Sequence, residues 1–155
     1  FIGGGEEEKI ETEPQKILGS FSGDGFVPAS IRISASVHRV AVNDGHTLAA
    51  FVKLARKASP LEAVTALADF RGEPQERGLP SAPKRPIHVL PEENRPQPKL
   101  DREREGGMAV SVGRVREDNI FDLRLEALVH NTIRGAAGAA ILNAELLKAK
   151  GLLPA

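Results

Sequence analysis

Along residues 30–42 apolar and polar positions alternate one by one. Ile31, Ile33, Ala35 and Val37 fall on one side and Arg32, Ser34, Ser36 and His38 on the other. A period of two marks a half-buried strand. After His38 the apolar positions change parity to Val40 and Val42, which implies a bulge or the strand's end near His38 and Arg39. Asn43-Asp44-Gly45 has the composition of a tight turn, and 47–54 reads as a strand returning from it, with His46 just beyond the turn. Further strands are expected at 108–115 and 120–129, with a short one at 87–90. The second alternates Phe121, Leu123, Leu125, Ala127 and Val129 against Asp122, Arg124 and Glu126.

Helices are signalled in three places. Ile10, Ile17 and Leu18 recur at roughly helical spacing before Gly19, behind three acids, Glu6, Glu7 and Glu8, that suit a helix N-terminus. Pro14 argues against an unbroken helix there and fits best near the first turn of one ending at Leu18. Ser59-Pro60-Leu61-Glu62 combines an N-cap hydroxyl, a proline at the first helical position and a Glu three residues after the cap, which starts a helix running to about Phe70. An Ala-rich helix follows Asn131-Thr132 and is closed by Gly151, with Asn131 placed as its N-cap. This order predicts an α+β fold, an antiparallel or mixed sheet with helices packed on one face. Residues 71–107 hold most of the eleven prolines. So long a crossing suits a subunit interface or a cover over a site, and equally a plain surface connection.

Composition narrows the function. The 155 residues are 41% hydrophobic, enough for one folded domain over 1–155. Lys and Arg number 21 and so do Asp and Glu, so no basic footprint exists for nucleic acid or an anionic membrane. The absence of Cys removes disulfides, thiolate metal sites and any thiol nucleophile from this chain. No apolar run approaches the roughly 20 residues of a membrane span and no leader pattern opens the chain, so a cytoplasmic setting is expected. The start at Phe1-Ile2-Gly3 reads like the interior of a longer polypeptide.

Among candidate chemical groups, Arg39 and His46 stand out, because a strand, a parity change and a tight turn can bring both to one end of a sheet. Arg offers a planar fork for a carboxylate, and His moves a proton near neutral pH. Two solvated residues flanking a loop would give the same pattern. Glu6 and Lys9 could present a carboxylate and an ammonium to a zwitterionic or phosphorylated ligand, or form a solvated helix start. Arg95, Arg102, Arg104, Arg114 and Arg116 could gather about an anion or simply share a mixed-charge surface. His88 and His130 have no partner at metal-ligand spacing and read as structural, so no metal is expected. Neither a phosphate-cradling Gly loop nor a nucleophile elbow is present.

Several segments are more specific. Residues 109–118 (AVSVGRVRED) and 130–147 (HNTIRGAAGAAILNAELL) resemble the carboxy-terminal end of aspartate-semialdehyde dehydrogenases of the archaeal and fungal type. The resemblance extends through 5–10 (GEEEKI), 39–46 (RVAVNDGH), 79–83 (LPSAP) and 95–102 (RPQPKLDR). It implies a catalytic and dimerisation domain like that of glyceraldehyde-3-phosphate dehydrogenase, with a dinucleotide-binding domain of Rossmann type and the nucleophilic Cys lying upstream of this chain.

The implied reaction is NADP-dependent reductive dephosphorylation of aspartyl phosphate to aspartate semialdehyde, on the way to lysine, methionine and threonine, in a homodimer or homotetramer. By the same resemblance His46 matches the general acid/base, Arg39 the residue holding the substrate α-carboxylate and Glu6 the partner of its ammonium. Lys9 matches the cation for phosphate, and Asn131 the residue lying against the nicotinamide. Glu7 and Glu8 leave the register of the acidic match open by a position or two. A malonyl- or succinyl-CoA reductase of the same superfamily, or an oligomerisation domain without catalysis, are the alternatives.

Overall fold

The computed structural model describes residues 4–153. The chain's first three residues, read above as polypeptide interior, and its last two lie outside that range. The chain divides into two compact units, Phe1–Ala41 and Val42–Ala155.

In the first unit, helix α1 (Glu6–Ile17) starts behind Gly5 and carries Glu6, Glu7 and Glu8 in its first turn, where the helix dipole favours negative charge. Pro14 lies inside this helix rather than near its start. The proline costs one backbone hydrogen bond, yet its own carbonyl still accepts from the Leu18 amide at 2.9 Å, so the last turn closes. A two-residue ribbon follows, β1 (Ser20–Phe21) antiparallel to β2 (Phe26–Val27).

The strand expected at 30–42 does not form, although the alternation behind it is real: Ile33, Ala35 and Val37 are half-buried and Ser34, Ser36 and His38 exposed. A period of two dictates extended backbone with two faces, but a strand also needs a neighbouring backbone edge. Here two carboxylates take that place. Glu11 Oε1 accepts from the Ala35 amide and Glu7 Oε1 from the Val37 amide, both at 2.8 Å. Glu7 and Glu11 stand one turn apart on α1, and amides two residues apart point to the same edge, so the two spacings match.

The second unit is built on a four-stranded mixed sheet. Its strands are β3 (His46–Val52), β4 (Ile87–Leu90), β5 (Val110–Glu117) and β6 (Leu123–Val129), in the order β3-β6-β5-β4. β6 pairs antiparallel with β3 and β5, whereas β4 and β5 are parallel. The β5–β6 register shifts between Gly113 and Arg116, where Arg114 takes φ 54°. At the turn between those strands Asp118 Oδ1 accepts from the Ile120 and Phe121 amides at 2.9 and 2.8 Å. Asp122 accepts from the Leu54 amide at 2.7 Å and ties down the end of β3. Leu128, Ala109, Val112, Leu123 and Leu142 form the buried apolar centre.

Helix α2 (Pro60–Asp69) lies against β4 and β5 and carries the capping box read from sequence. Glu62 Oε2 accepts from the Ser59 amide at 2.8 Å, and Ser59 Oγ accepts from the Glu62 amide at 3.2 Å. The last helix, α5 (Gly138–Ala149), is preceded by a wide π turn (Ile133–Ala137) and followed by Gly151 at φ 69°. None of the described helices is long and apolar enough to cross a membrane.

Residues 71–107 are more than a bare connection. They contribute α3 (Glu73–Glu76), β4 and α4 (Pro98–Asp101), bury Pro83, Pro86 and Leu90, and end in a 3-10 turn (Arg104–Gly107). Their anchor is Asp101, which is 1% exposed. Its carboxylate accepts from both Arg95 and Arg104 and from the Gln97 amide at 2.7 Å, and its carbonyl accepts from Ser111 Oγ on β5 at 3.3 Å. Gly113, one pleat along β5 on the same face, has no room for a Cβ because the Arg95 carbonyl occupies that space.

Burial would push the Asp101 carboxyl up, but the hydrogen bonds from Arg95, Gln97 and Arg104 outweigh it and hold the group at about 2. A carboxyl depressed on folding contributes stability that is fully present above its unfolded value near 3.9 and is lost as pH falls toward the folded one. Asp101→Asn is expected to lower unfolding free energy by about 2–3 kcal/mol at pH 7, the size set by that depression and by the cations left without their charge partner. In urea titrations the gap from wild type closes as the pH is taken from about 5 down to about 2. A gap independent of pH would contradict the ionic origin.

Candidate functional site

The candidate residues divide between the two units. In the first, α1 and the extended segment place Arg39 Nη2 3.7 Å from Glu6 Oε1, with the two side chains 73% and 46% exposed. An ion pair so open to water contributes only about 0–1 kcal/mol, so either member can exchange its partner for a ligand at little cost. A cation beside an anion is the complement of an α-amino acid, whose carboxylate and ammonium share one carbon. The local contacts also sort the three acids: Glu7 is engaged by the Val37 amide, whereas Glu6 reaches Arg39. Lys9 is exposed one turn beyond Glu6 on the same helix, so a third group of a ligand could be met from that face.

In the second unit the turn Asn43-Asp44-Gly45 delivers His46 as the first residue of β3, opposite Val129 of β6. His46 is exposed and its ring makes no hydrogen bond among the described residues, so both nitrogens are available for proton transfer. Gly45 is buried at φ 119°, and a Cβ there would lie 3.1 Å from Leu128 Cδ1 and 3.3 Å from Pro98 Cβ. Only glycine combines that backbone angle with so close an approach. Asn131, two residues past Val129, is not an N-cap: the helical segment begins at Ile133 with Thr132 at the cap position, and no side chain caps it. The Asn131 Oδ1 instead accepts from the Gly45 amide at 2.9 Å. Its amide group donates to no acceptor among the described residues.

The remaining candidates are spent on internal contacts. Arg95 and Arg104 serve Asp101, Arg102 pairs with Glu103 at 3.2 Å, Arg114 donates to the Glu93 carbonyl at 2.7 Å and Arg116 to the Arg114 carbonyl at 2.9 Å. His130 is buried beside Thr132 Oγ1, and His88 lies 3.3 Å from Glu105 Oε1. Among the described residues no group of three or more His, Cys, Asp or Glu is gathered to hold a metal. Sequence reasoning missed Glu7 and Glu11 as backbone acceptors. Their four-residue spacing opposite an alternating segment was the available signal.

A family model described as the semialdehyde dehydrogenase dimerisation domain matches residues 2–134. The chain belongs to that family. This dimerisation domain is 55% identical over 149 residues to the aspartate-semialdehyde dehydrogenase of Methanothermobacter thermautotrophicus, covering 95% of the chain and 43% of that relative. Against the Schizosaccharomyces pombe enzyme of the same name identity is 50%, over 99% of the chain and 44% of the relative. Its fold follows the crystal structure of aspartate semialdehyde dehydrogenase with NADP from Candida albicans at a TM-score of 0.90 and 44% identity, spanning 99% of the chain and 44% of that one. The domain therefore spans less than half the length of the relatives it matches.

Gly45→Ala is expected to destabilise the domain by about 1–3 kcal/mol, from the positive φ together with the contacts at Leu128 and Pro98. Chemical denaturation measures this, and an unchanged midpoint would show that the turn relaxes freely.

Proposed function

We propose that the dimerisation domain is the substrate-binding and acid/base portion of an NADP-dependent aspartate-semialdehyde dehydrogenase, which converts aspartyl phosphate to aspartate semialdehyde and phosphate. The observation that carries this reading is the open Glu6–Arg39 pair, a charge pattern that fits an α-amino acid. Arg39 takes the α-carboxylate through its fork and Glu6 takes the ammonium. Lys9, a flexible point charge, meets the phosphate. NADP supplies or accepts the hydride, and the nucleophilic thiolate comes from sequence outside this chain. The unpartnered amide group of Asn131 suits it to meet the carboxamide of the nicotinamide.

His46 acts as general acid/base. In the oxidative direction its free imidazole nitrogen takes the hydroxyl proton as the hemithioacetal carbon loses hydride, and in the reductive direction it returns that proton to oxygen. An acyl-CoA reductase of the same superfamily needs no partner for an ammonium, so Glu6 beside Arg39 favours the aspartyl substrate. The enzyme works as a homodimer or homotetramer; at the sheet's edge β3 exposes Leu48 at 56% and Phe51 at 59%, apolar area that association would cover.

In the complete enzyme His46→Ala is expected to lower kcat by about 10²–10⁴-fold with a small change in KM. Glu6→Gln and Arg39→Lys each raise KM for aspartate semialdehyde at least about tenfold, since each removes one charge-assisted contact. Steady-state kinetics check all three. Wild-type turnover by the His46 variant would leave a non-catalytic oligomerisation role, and preference for malonyl-CoA over aspartyl phosphate would favour the reductase reading.

A further inference from the structure

We infer that Asn131, besides the cofactor contact proposed above, is a positioning residue for His46, acting through the Gly45 amide. The inference rests on the reading of His46 as general acid/base.

The bond from the Gly45 amide to Asn131 Oδ1, 2.9 Å long, is made at the residue directly before His46. That amide is exposed to no alternative strand partner, because the β3–β6 ladder begins one residue later, at His46 opposite Val129. The carboxamide thus extends the ladder by one bond, with a side chain standing in for backbone. The clamp closes on a buried residue: Leu128 Cδ1 and Pro98 Cβ pack where a Gly45 Cβ would stand, so the turn is pressed onto the sheet from one side and bonded to it from another. His46 itself is exposed, with its ring free of hydrogen bonds, so its side chain has no anchor of its own among the described residues. Backbone fixation at Gly45 is then what sets the direction of its Cα–Cβ bond.

The two ends of the carboxamide divide the work. Oδ1 has one proton donor, the Gly45 amide, whereas Nδ2 carries two protons with no acceptor among the described residues. Loss of the oxygen therefore disturbs His46 and turnover, and loss of the amide group disturbs cofactor binding. A misplacement of about 1 Å at a reacting group can cost about 10²-fold in rate.

The test compares two variants in the complete enzyme, with His46→Ala as control. Asn131→Ala removes both ends, so kcat is expected to fall about 10–100-fold and KM for NADP to rise. Asn131→Asp restores an oxygen acceptor without the amide group, so it recovers at least about tenfold of the lost kcat while KM for NADP stays raised. Its carboxylate beside the turn also moves the kcat pH profile upward, as a negative charge favours the protonated imidazole. Equal kcat losses in the two variants, or no loss in Asn131→Ala, would overturn the inference. Amide exchange in the unaltered enzyme gives a second reading that needs no substitution: the Gly45 amide exchanges at least about tenfold more slowly than that of exposed Asn43, and equal rates would also overturn it. A fully active His46→Ala enzyme removes the underlying assignment instead, so the two failures are told apart.

Discussion

The second unit depends on one buried carboxylate. Asp101 gathers two guanidinium groups and a backbone amide at the foot of a four-residue helix too short to hold itself by its own hydrogen bonds. That gathering fixes α4 against the sheet, where the Ser111 hydroxyl reads its position and Gly113 lets the chain come close. Pro98, the first residue of α4, then packs on Gly45, immediately before His46. A continuous chain of contacts therefore runs from this ionic cluster to the turn that presents the candidate acid/base. In a proline-rich stretch with little regular backbone pairing, charge does what a ladder does elsewhere.

What the sequence disclosed follows the range of the interactions. The capping box at Ser59, the closing Gly151 and strands 87–90, 108–115 and 120–129 rest on patterns within a few residues, and each is found within a residue or three of its expected place. Two of the misses concern partners distant in sequence. An alternating segment says that the backbone is extended; it does not say whether a strand or a pair of glutamates will meet its amides. Asn131 has the residue type of an N-cap, but a competing donor 86 positions away captures its oxygen. Pro14 was expected to limit α1, and the helix absorbs it because its last turn bonds to the proline's own carbonyl.

The candidate site was legible in residue type and less so in arrangement. Arg39 and His46 were singled out as a pair for one end of a sheet, whereas Arg39 lies beside Glu6 in the first unit and His46 opens β3 in the second. The sorting of Glu6 from Glu7 depends on which face of α1 meets the extended segment, and that is settled by the Glu11 and Glu7 contacts rather than by local pattern. The five arginines that might have formed an anion site are consumed by nearby carboxylates and carbonyls, a matter of folding distance invisible in a list of spacings.

The two glutamates that hold residues 35 and 37 have a consequence for how this part of the molecule can change. A ladder of backbone bonds is indifferent to side chains, so point substitutions seldom alter its alignment. Here the alignment is written in two side chains of α1, and it determines how far along the segment Arg39 stands from Glu6. Moving one acid by a turn would slide the guanidinium relative to the carboxylate by roughly two residues of extended chain, about 7 Å, without touching either charged group. The separation of the Glu6 and Arg39 charges is in this way adjustable from the Glu7–Glu11 face of the helix, without altering either charged residue.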